Sequence, residues 1–506
     1  MKASSILFVG VAVAVAACKE PPAAVVVPAS SPSGAARTAA LPTVIGLTRP
    51  SEPEWFGLYL QGRKAGFSRI SVQIEERDGK PVLVARNEST VSATLGTATV
   101  RRSQIDEKVY QARPKGRLIA FHGRREGDGG DRSVDGRCTP AGCKVELSAQ
   151  GQREERQLPP LNETAEQADA ARLAAAARGV VAGDQLDLES LKVKKMEDRY
   201  AGTAYLAAGG VQTEVAVVEE MEEGDRIASR ISIAPDGRAL ELRLGNAVVA
   251  KAEPEQVAKR LDRVDLFSLT RVPVPAPLAR DVPGRVVFEL RGMPKEFQVS
   301  DGRQTFAGEP GGLVRLTVVA KRPRAVDPSH DAARAKGIIP EGLEEFLEAT
   351  PEVDWENPAI AKLSREVVGD TPGVYAASVE IAHFVNRRLK KAYGVSRDRA
   401  SEVLALGKGD CTEHALLFTA LARAAGIPSR QVHGLVYAQY DDLVPALYWH
   451  AWVEVKSGEE WIPLDPTFDQ PVADPTHVVL GRGSQVDTVG LLGALRVQSA
   501  VARPAG

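Results

Sequence analysis

The segment from Gly407 to Thr467 constrains the fold more than any other part of this chain. It opens on Gly407-Lys408-Gly409-Asp410-Cys411-Thr412-Glu413-His414. Leu416, Leu417, Ala420, Leu421 and Ala424 then recur at helical spacing, so a helix begins near Cys411 and buries one face. Gly426-Ile427-Pro428 stops it. Gln431–Tyr437 and Tyr448–Val455 read as strands. A third, from Trp461, ends at Asp465, where Pro466 terminates pairing. Alternation puts His450, Trp452 and Glu454 on one face of the second strand and Ala451, Val453 and Val455 on the other. A helix and antiparallel strands that must cover each other's apolar sides make an α+β fold.

The same segment holds a chemistry. Gly407 and Gly409 let the backbone turn sharply into the helix. In its first turn Cys411 meets free backbone N–H groups, which favour an anion and lower a thiol pKa. Those N–H groups could also hold an oxyanion. Cysteine attack on an amide needs a nucleophile, a base that takes and returns a proton, and a group that orients the base. Cys411, His450 and Asp465 can supply all three. Competing readings are an inert buried thiol and a zinc site from Cys411, His414, His450 and Asp465, since Cys411 and His414 lie one helical turn apart. We assign no metal. His414, His433 and His477 read as structural, Glu413 and Arg430 as members of ion pairs, and Trp449, Trp452 and Trp461 as packing. Asp410 would raise the thiol pKa if it pointed inward.

The chain has four cysteines. Met1-Lys2, an apolar run from Ile6 to Ala17 and then Cys18 describe a secretory signal peptide over 1–17. The run is short for a membrane-spanning helix. Residues 18–52, rich in Pro, Ala and Ser, read as a flexible tether. Cys138 and Cys143 flank Thr139-Pro140-Ala141-Gly142 and could close a disulfide in an oxidising compartment, since zinc would need two further ligands. Cys411 is left alone, and an unpaired exported cysteine calls for burial or reactivity. Lys and Arg number 64 against 66 for Asp and Glu, a balance that gives no support to a nucleic-acid partner.

Residues 53–325 read as mainly antiparallel β. Strand candidates lie at Val82–Ala85, Val91–Val100, Gly116–His122, Thr213–Glu219, Ile227–Ile233, Leu240–Leu244 and Arg285–Leu290, with one helix around Glu163–Arg178. Pro358–Val368 and Val374–Tyr393 read as helices, and Ser396 could cap another that stops at Gly407. A second domain is drawn over 340–490.

Gly409-Asp410-Cys411-Thr412-Glu413-His414-Ala415, Ala422–Arg430, His450–Val455 and Trp461–Thr467 together resemble the core of the transglutaminase-like superfamily, strongly over about 395–480. The resemblance implies a papain-like α+β domain with the cysteine helix packed on an antiparallel sheet. It implies Cys411 as nucleophile, His450 as base and Asp465 as orienting carboxylate. Trp55–Ser68 resembles, more weakly, the start of β domains that precede such cores in other bacterial proteins. Val15-Ala16-Ala17-Cys18 resembles the lipobox of bacterial lipoproteins, which implies lipidation at Cys18 and a membrane-anchored protein on the periplasmic or cell-surface side. The expected activity is thiol-dependent acyl transfer or hydrolysis at amide bonds of a protein or peptide: transglutaminase, deamidase or peptidase. No cofactor is expected, and no Asp-x-Asp-x-Asp-Gly calcium loop is present. The alternative is a non-enzymatic binding or assembly module of the envelope, built on the same scaffold.

Overall fold

The computed structural model describes Leu47 and residues 50–504, apart from 96–97, 128–130, 150–151, 209–210, 225–227, 246, 280–283, 309–311, 322–341, 394–398, 441–442, 484–490 and 492. The expected signal peptide, Cys18 and most of the tether lie outside the described residues. Two compact units emerge, one ending at Asp265 and the other beginning at Leu266.

The first unit is built on one continuous sheet of fourteen strands. Strands adjacent in sequence pair in a meander, and the first, Glu54–Leu60, also pairs antiparallel with the last, Val248–Ala252. Gln152–Leu158 and Val180–Leu186 are the two edges. Burial alternates residue by residue in strands such as Gly142–Ala149, the signature of a sheet covered on one face. Cys138 and Cys143 are directly opposed in a hairpin and are disulfide-bonded. The helix expected over Glu163–Arg178 is shorter. A 3₁₀ turn, Ala165–Asp169, leads into an α-helix, Ala170–Ala177, which stops where Arg178 turns left-handed at φ 49°. Glu163 stays out of it because its buried carboxylate accepts bonds from Tyr110 Oη at 2.6 Å and Lys108 Nζ at 2.7 Å.

The second unit holds two antiparallel sheets and four helices of seven residues or more among the described residues. One sheet runs Gln304–Gly308, Leu313–Val319, Arg285–Arg291, Arg496–Arg503. Arg285–Arg291, which the sequence groups with the preceding strands, therefore pairs with the C-terminal strand, and this sheet belongs to the second unit.

The helices are α1 (Pro358–Val368), α2 (Val374–Arg388), α3 (Ala400–Leu406) and α4 (Cys411–Ala424). Pro358 occupies the first turn of α1, and Asn357 caps it through a 2.9 Å bond from Ala359 N. Helix α2 ends at Arg388 rather than near Tyr393, because Lys390–Lys391 leaves the helix to pair in parallel with Lys408–Gly409. That short pairing ties the end of α2 to the start of α4. Gly407, at φ 66°, closes α3, while Gly409 is needed for space: a Cβ there would lie 2.4 Å from that of Glu413.

The second sheet carries β1 (Ser429–Ala438), β2 (Ala446–Ser457), β3 (Glu460–Leu464) and β4 (Val478–Arg482). β2 is flanked by β1 along its length, and β1 by β4. The other edge of β2 is paired by Val272–Pro273 at Ala446–Leu447 and by β3 from Val453 to Ser457. Ala451, Val453 and Val455 join the helical core with Leu417, Phe418 and Leu421 of α4, all buried. Trp452 packs on the opposite face with Val432, Ala473 and Val479, so the alternation expected along β2 holds.

Candidate active site

Along the edge of β2 away from β1, the pairing with Val272–Pro273 ends at Leu447 and the pairing with β3 begins at Val453, which leaves a gap between the two partner strands. Cys411, the first residue of α4, approaches this gap, with the Ala451 backbone N–H directed at its sulfur. The helix start is firmly built. Asp410 accepts from Thr412 N at 2.9 Å, and Glu413 reaches back to Asp410 N at 2.8 Å, a complete capping box.

The electrostatics differ from the expectation of an acidified thiol. Burial raises the Cys411 pKa, and the Asp410 carboxylate raises it further, while the Ala451 N–H opposes them. Asp410 turns its carboxylate to the backbone but remains close enough to act on the sulfur. Cys411 keeps part of its surface exposed.

His450 is one residue along from Ala451 on the opposite face of β2. Its Nε2 lies 2.7 Å from Asp465 Oδ2. The ring is nearly parallel to Phe468, 4.7 Å away, and buried. Asp465 is fully buried at the end of β3, in a turn closed by mutual backbone bonds with Gln470. Its Oδ1 accepts from Thr467 N at 2.7 Å and Phe468 N at 3.1 Å. Asn386 of α2 donates to Pro466 O and Thr467 O, both at 3.1 Å, and holds the turn in place. Although burial favours the neutral acid, His450, His477 and these bonds hold the Asp465 carboxyl far below the usual range. No hydrogen bond joins Cys411 Sγ to a His450 nitrogen among the described residues. Nδ1 is the ring nitrogen that Asp465 leaves unengaged.

The sequence model of the transglutaminase-like superfamily matches residues 361–466, a span that contains Cys411, His450 and Asp465. Over these residues the chain is similar to that superfamily.

No curated protein matches the sequence. Among solved structures, a candidate cysteine protease from Cytophaga hutchinsonii aligns over 44% of this chain and 83% of its own, at 16% identity and TM-score 0.28. A β-barrel-like domain of unknown function from Brucella abortus aligns over 40% and 96%, at 12% identity and TM-score 0.30. A candidate protease from Parabacteroides distasonis aligns over 67% and 64%, at 12% identity and TM-score 0.19. Likenesses this distant carry no weight for the chemistry, which rests on the site itself.

Three features of the second unit have roles that the sequence does not mark. His477, expected to be structural, places Nε2 3.1 Å from Asp465 Oδ2, so one carboxylate oxygen meets two imidazoles. Tyr393 and Tyr440 bond to each other through their hydroxyls, close enough to Cys411 to feel its charge. Burial pushes Tyr440 up to about 12 and Tyr393 higher, which keeps both as neutral O–H groups. Buried Arg303, far upstream, donates to His477 O at 2.7 Å, Asp474 O at 2.5 Å and Ala473 O at 3.3 Å. Nothing in spacing or composition marks these residues, because each acts through a contact between distant segments.

His414 is buried, with its Nδ1 2.6 Å from Asp410 O. The donors of His450, Asp465 and His477 do lie within 4.8 Å of one another. The facing atoms lie at hydrogen-bond distances, 2.7 Å for His450 Nε2 and 3.1 Å for His477 Nε2 from the same Asp465 oxygen. Arg430 pairs with Glu454 at 2.7 Å and covers the Trp461 ring at 3.8 Å. Trp449 donates to Thr270 O at 3.3 Å. The three tryptophans thus serve packing.

Proposed function

We propose that Cys411, His450 and Asp465 form a Cys-His-Asp triad for thiol-dependent acyl transfer or hydrolysis at amide bonds, in a papain-like arrangement. The observation that carries the reading is the buried 2.7 Å contact of Asp465 with His450 Nε2, which leaves Nδ1 for the thiol. As Cys411 Sγ attacks the carbonyl carbon, its proton passes to His450 Nδ1. The C–N bond then breaks as the same proton goes to the departing amine, leaving a thioester. Water, activated by His450, gives deamidation or peptide cleavage, and a lysine amine gives an isopeptide crosslink. The rise in the Cys411 pKa from burial and Asp410 favours this concerted transfer over a preformed thiolate–imidazolium pair. The Ala451 N–H and the first N–H groups of α4 are the donors available to an oxyanion.

Alkylation of Cys411 by iodoacetamide tests the triad without a known substrate. Near pH 7 the rate should fall at least about tenfold in His450→Ala, since the base that draws off the proton is gone. A rate indifferent to that change removes the triad. It would also favour the second reading, a binding module with an inert thiol, which has support in the raised Cys411 pKa and the missing Sγ–imidazole bond. Incubation with glutamine- and lysine-containing peptides, read by mass spectrometry, separates deamidation, cleavage and crosslinking. We further propose that the chain is exported and anchored through lipid on Cys18, in the cell envelope. Cys18→Ala should release it from the membrane fraction.

A further inference from the structure

The second histidine on Asp465 has unusual surroundings. His477 is fully buried, with Nε2 3.1 Å from Asp465 Oδ2 and Nδ1 3.3 Å from Asp474 Oδ1 and 3.2 Å from Asp474 O. Each ring nitrogen thus faces a carboxylate. A neutral imidazole carries one N–H and can satisfy one acceptor, whereas the imidazolium satisfies both. The segment that presents the ring is pinned by Arg303 through three carbonyls, and Asp474 is itself braced by Thr476 N at 2.8 Å. The other neighbours are the Trp452 ring edge-on at 5.2 Å and the His450 ring at 5.8 Å.

We propose that His477 is a positioning residue, held as an imidazolium between Asp465 and Asp474, that tempers the pull of Asp465 on the His450 proton. The inference rests on the triad reading above. Asp465 Oδ2 has two donors to serve, and Oδ1 is occupied by two backbone N–H groups. A carboxylate so neutralised holds the His450 ring through Nε2 while stabilising the imidazolium less. The ring then returns the proton on Nδ1 readily to a departing amine, which is the half-reaction a protonated base must complete. Burial works against charge on His477, yet the two carboxylates outweigh it and hold its pKa above the ordinary value. The titratable groups near His450 are Asp465, His477 and, on β1, His433.

The test uses the full chain with ¹⁵N-labelled histidine. Across about pH 5–8, where an ordinary imidazole titrates, both His477 nitrogens should keep protonated-ring shifts. A ring that loses its proton in that range overturns the proposal, whatever the variants do. In parallel, the pH profile of Cys411 alkylation should move up by about one unit in His477→Gln, because Asp465 is then uncompensated. Asp474→Asn should move it the same way while leaving the His477–Asp465 contact in place. If both variants keep the wild-type midpoint and lose only stability, His477 is structural and the positioning role fails. That failure is distinct from failure of the triad, which shows as alkylation indifferent to His450→Ala in the otherwise unchanged protein.

Discussion

At the residue scale the chemistry depends on a few buried polar groups whose partners are specified atom by atom. Asp465→Asn keeps the shape of the carboxylate but replaces one oxygen with an NH2 donor, so either the two imidazoles or the Thr467 and Phe468 N–H groups lose their acceptor. Turnover of a peptide amide should drop on the order of 10³-fold, as expected when a base loses its orienting group. A loss below about tenfold would argue against Asp465 in that role. His433 offers a test through stability. Burial lowers its pKa from 6.5 to about 4, and its Nε2 has no hydrogen-bond partner. The unfolded chain therefore binds more protons between these values, and stability rises with pH across that window by at most roughly 3 kcal/mol. His433→Gln should flatten the rise, as read by urea unfolding near pH 4.5 and near pH 7. An unchanged slope would place the pH dependence elsewhere.

At the element scale, α4 and β1 hold the site. Asp410→Ala removes the cap of α4 and should cost about 1 kcal/mol in urea unfolding. The same change removes the nearest negative charge from Cys411, so the midpoint of its alkylation profile should move to lower pH. Stability and thiol reactivity would then move in opposite senses. A slower thiol in this variant would contradict the assigned electrostatics. Gly434 faces His450 across the β1–β2 pairing, and a Cβ there would fall 1.9 Å from Val478 O and 2.8 Å from Trp452 Cη2. Gly434→Ala should destabilise the second unit by about 1–3 kcal/mol through overpacking, with His450 displaced. A neutral result by thermal unfolding would refute that packing. The helix and strands here are legible in the sequence because apolar spacing and Gly/Pro stops act within one element. The end of α2 is not: Lys390–Lys391 has helical company on one side, and the parallel pairing with Lys408–Gly409 overrides it.

At the scale of the whole molecule, the two units have separate cores. The Cys138–Cys143 disulfide closes a loop with a sequence separation of 5, so reduction should lower the stability of the first unit by about 2 kcal/mol through loop entropy. Hydrogen exchange in dithiothreitol should show faster opening of Arg132–Ala149, with protection of α4 and β2 unchanged. Equal loosening of both would contradict separate cores. Much of the first unit was only partly visible in the sequence. Strands at Arg132–Thr139, Gly142–Ala149 and Val193–Ala208 are rich in charged residues and lack a clear apolar run, so the sheet is completed by neighbours that supply the pairing. The catalytic candidates Cys411, His450 and Asp465 could be found from the sequence alone because a helix start, a strand and a strand end are local events, and local patterns survive in one dimension. His477, Arg303 and the Tyr393–Tyr440 pair could not. Their contacts exist only where the tertiary fold brings distant segments within hydrogen-bond reach, and it is there that the second imidazole on Asp465, and the bracing of the segment that carries it, are decided.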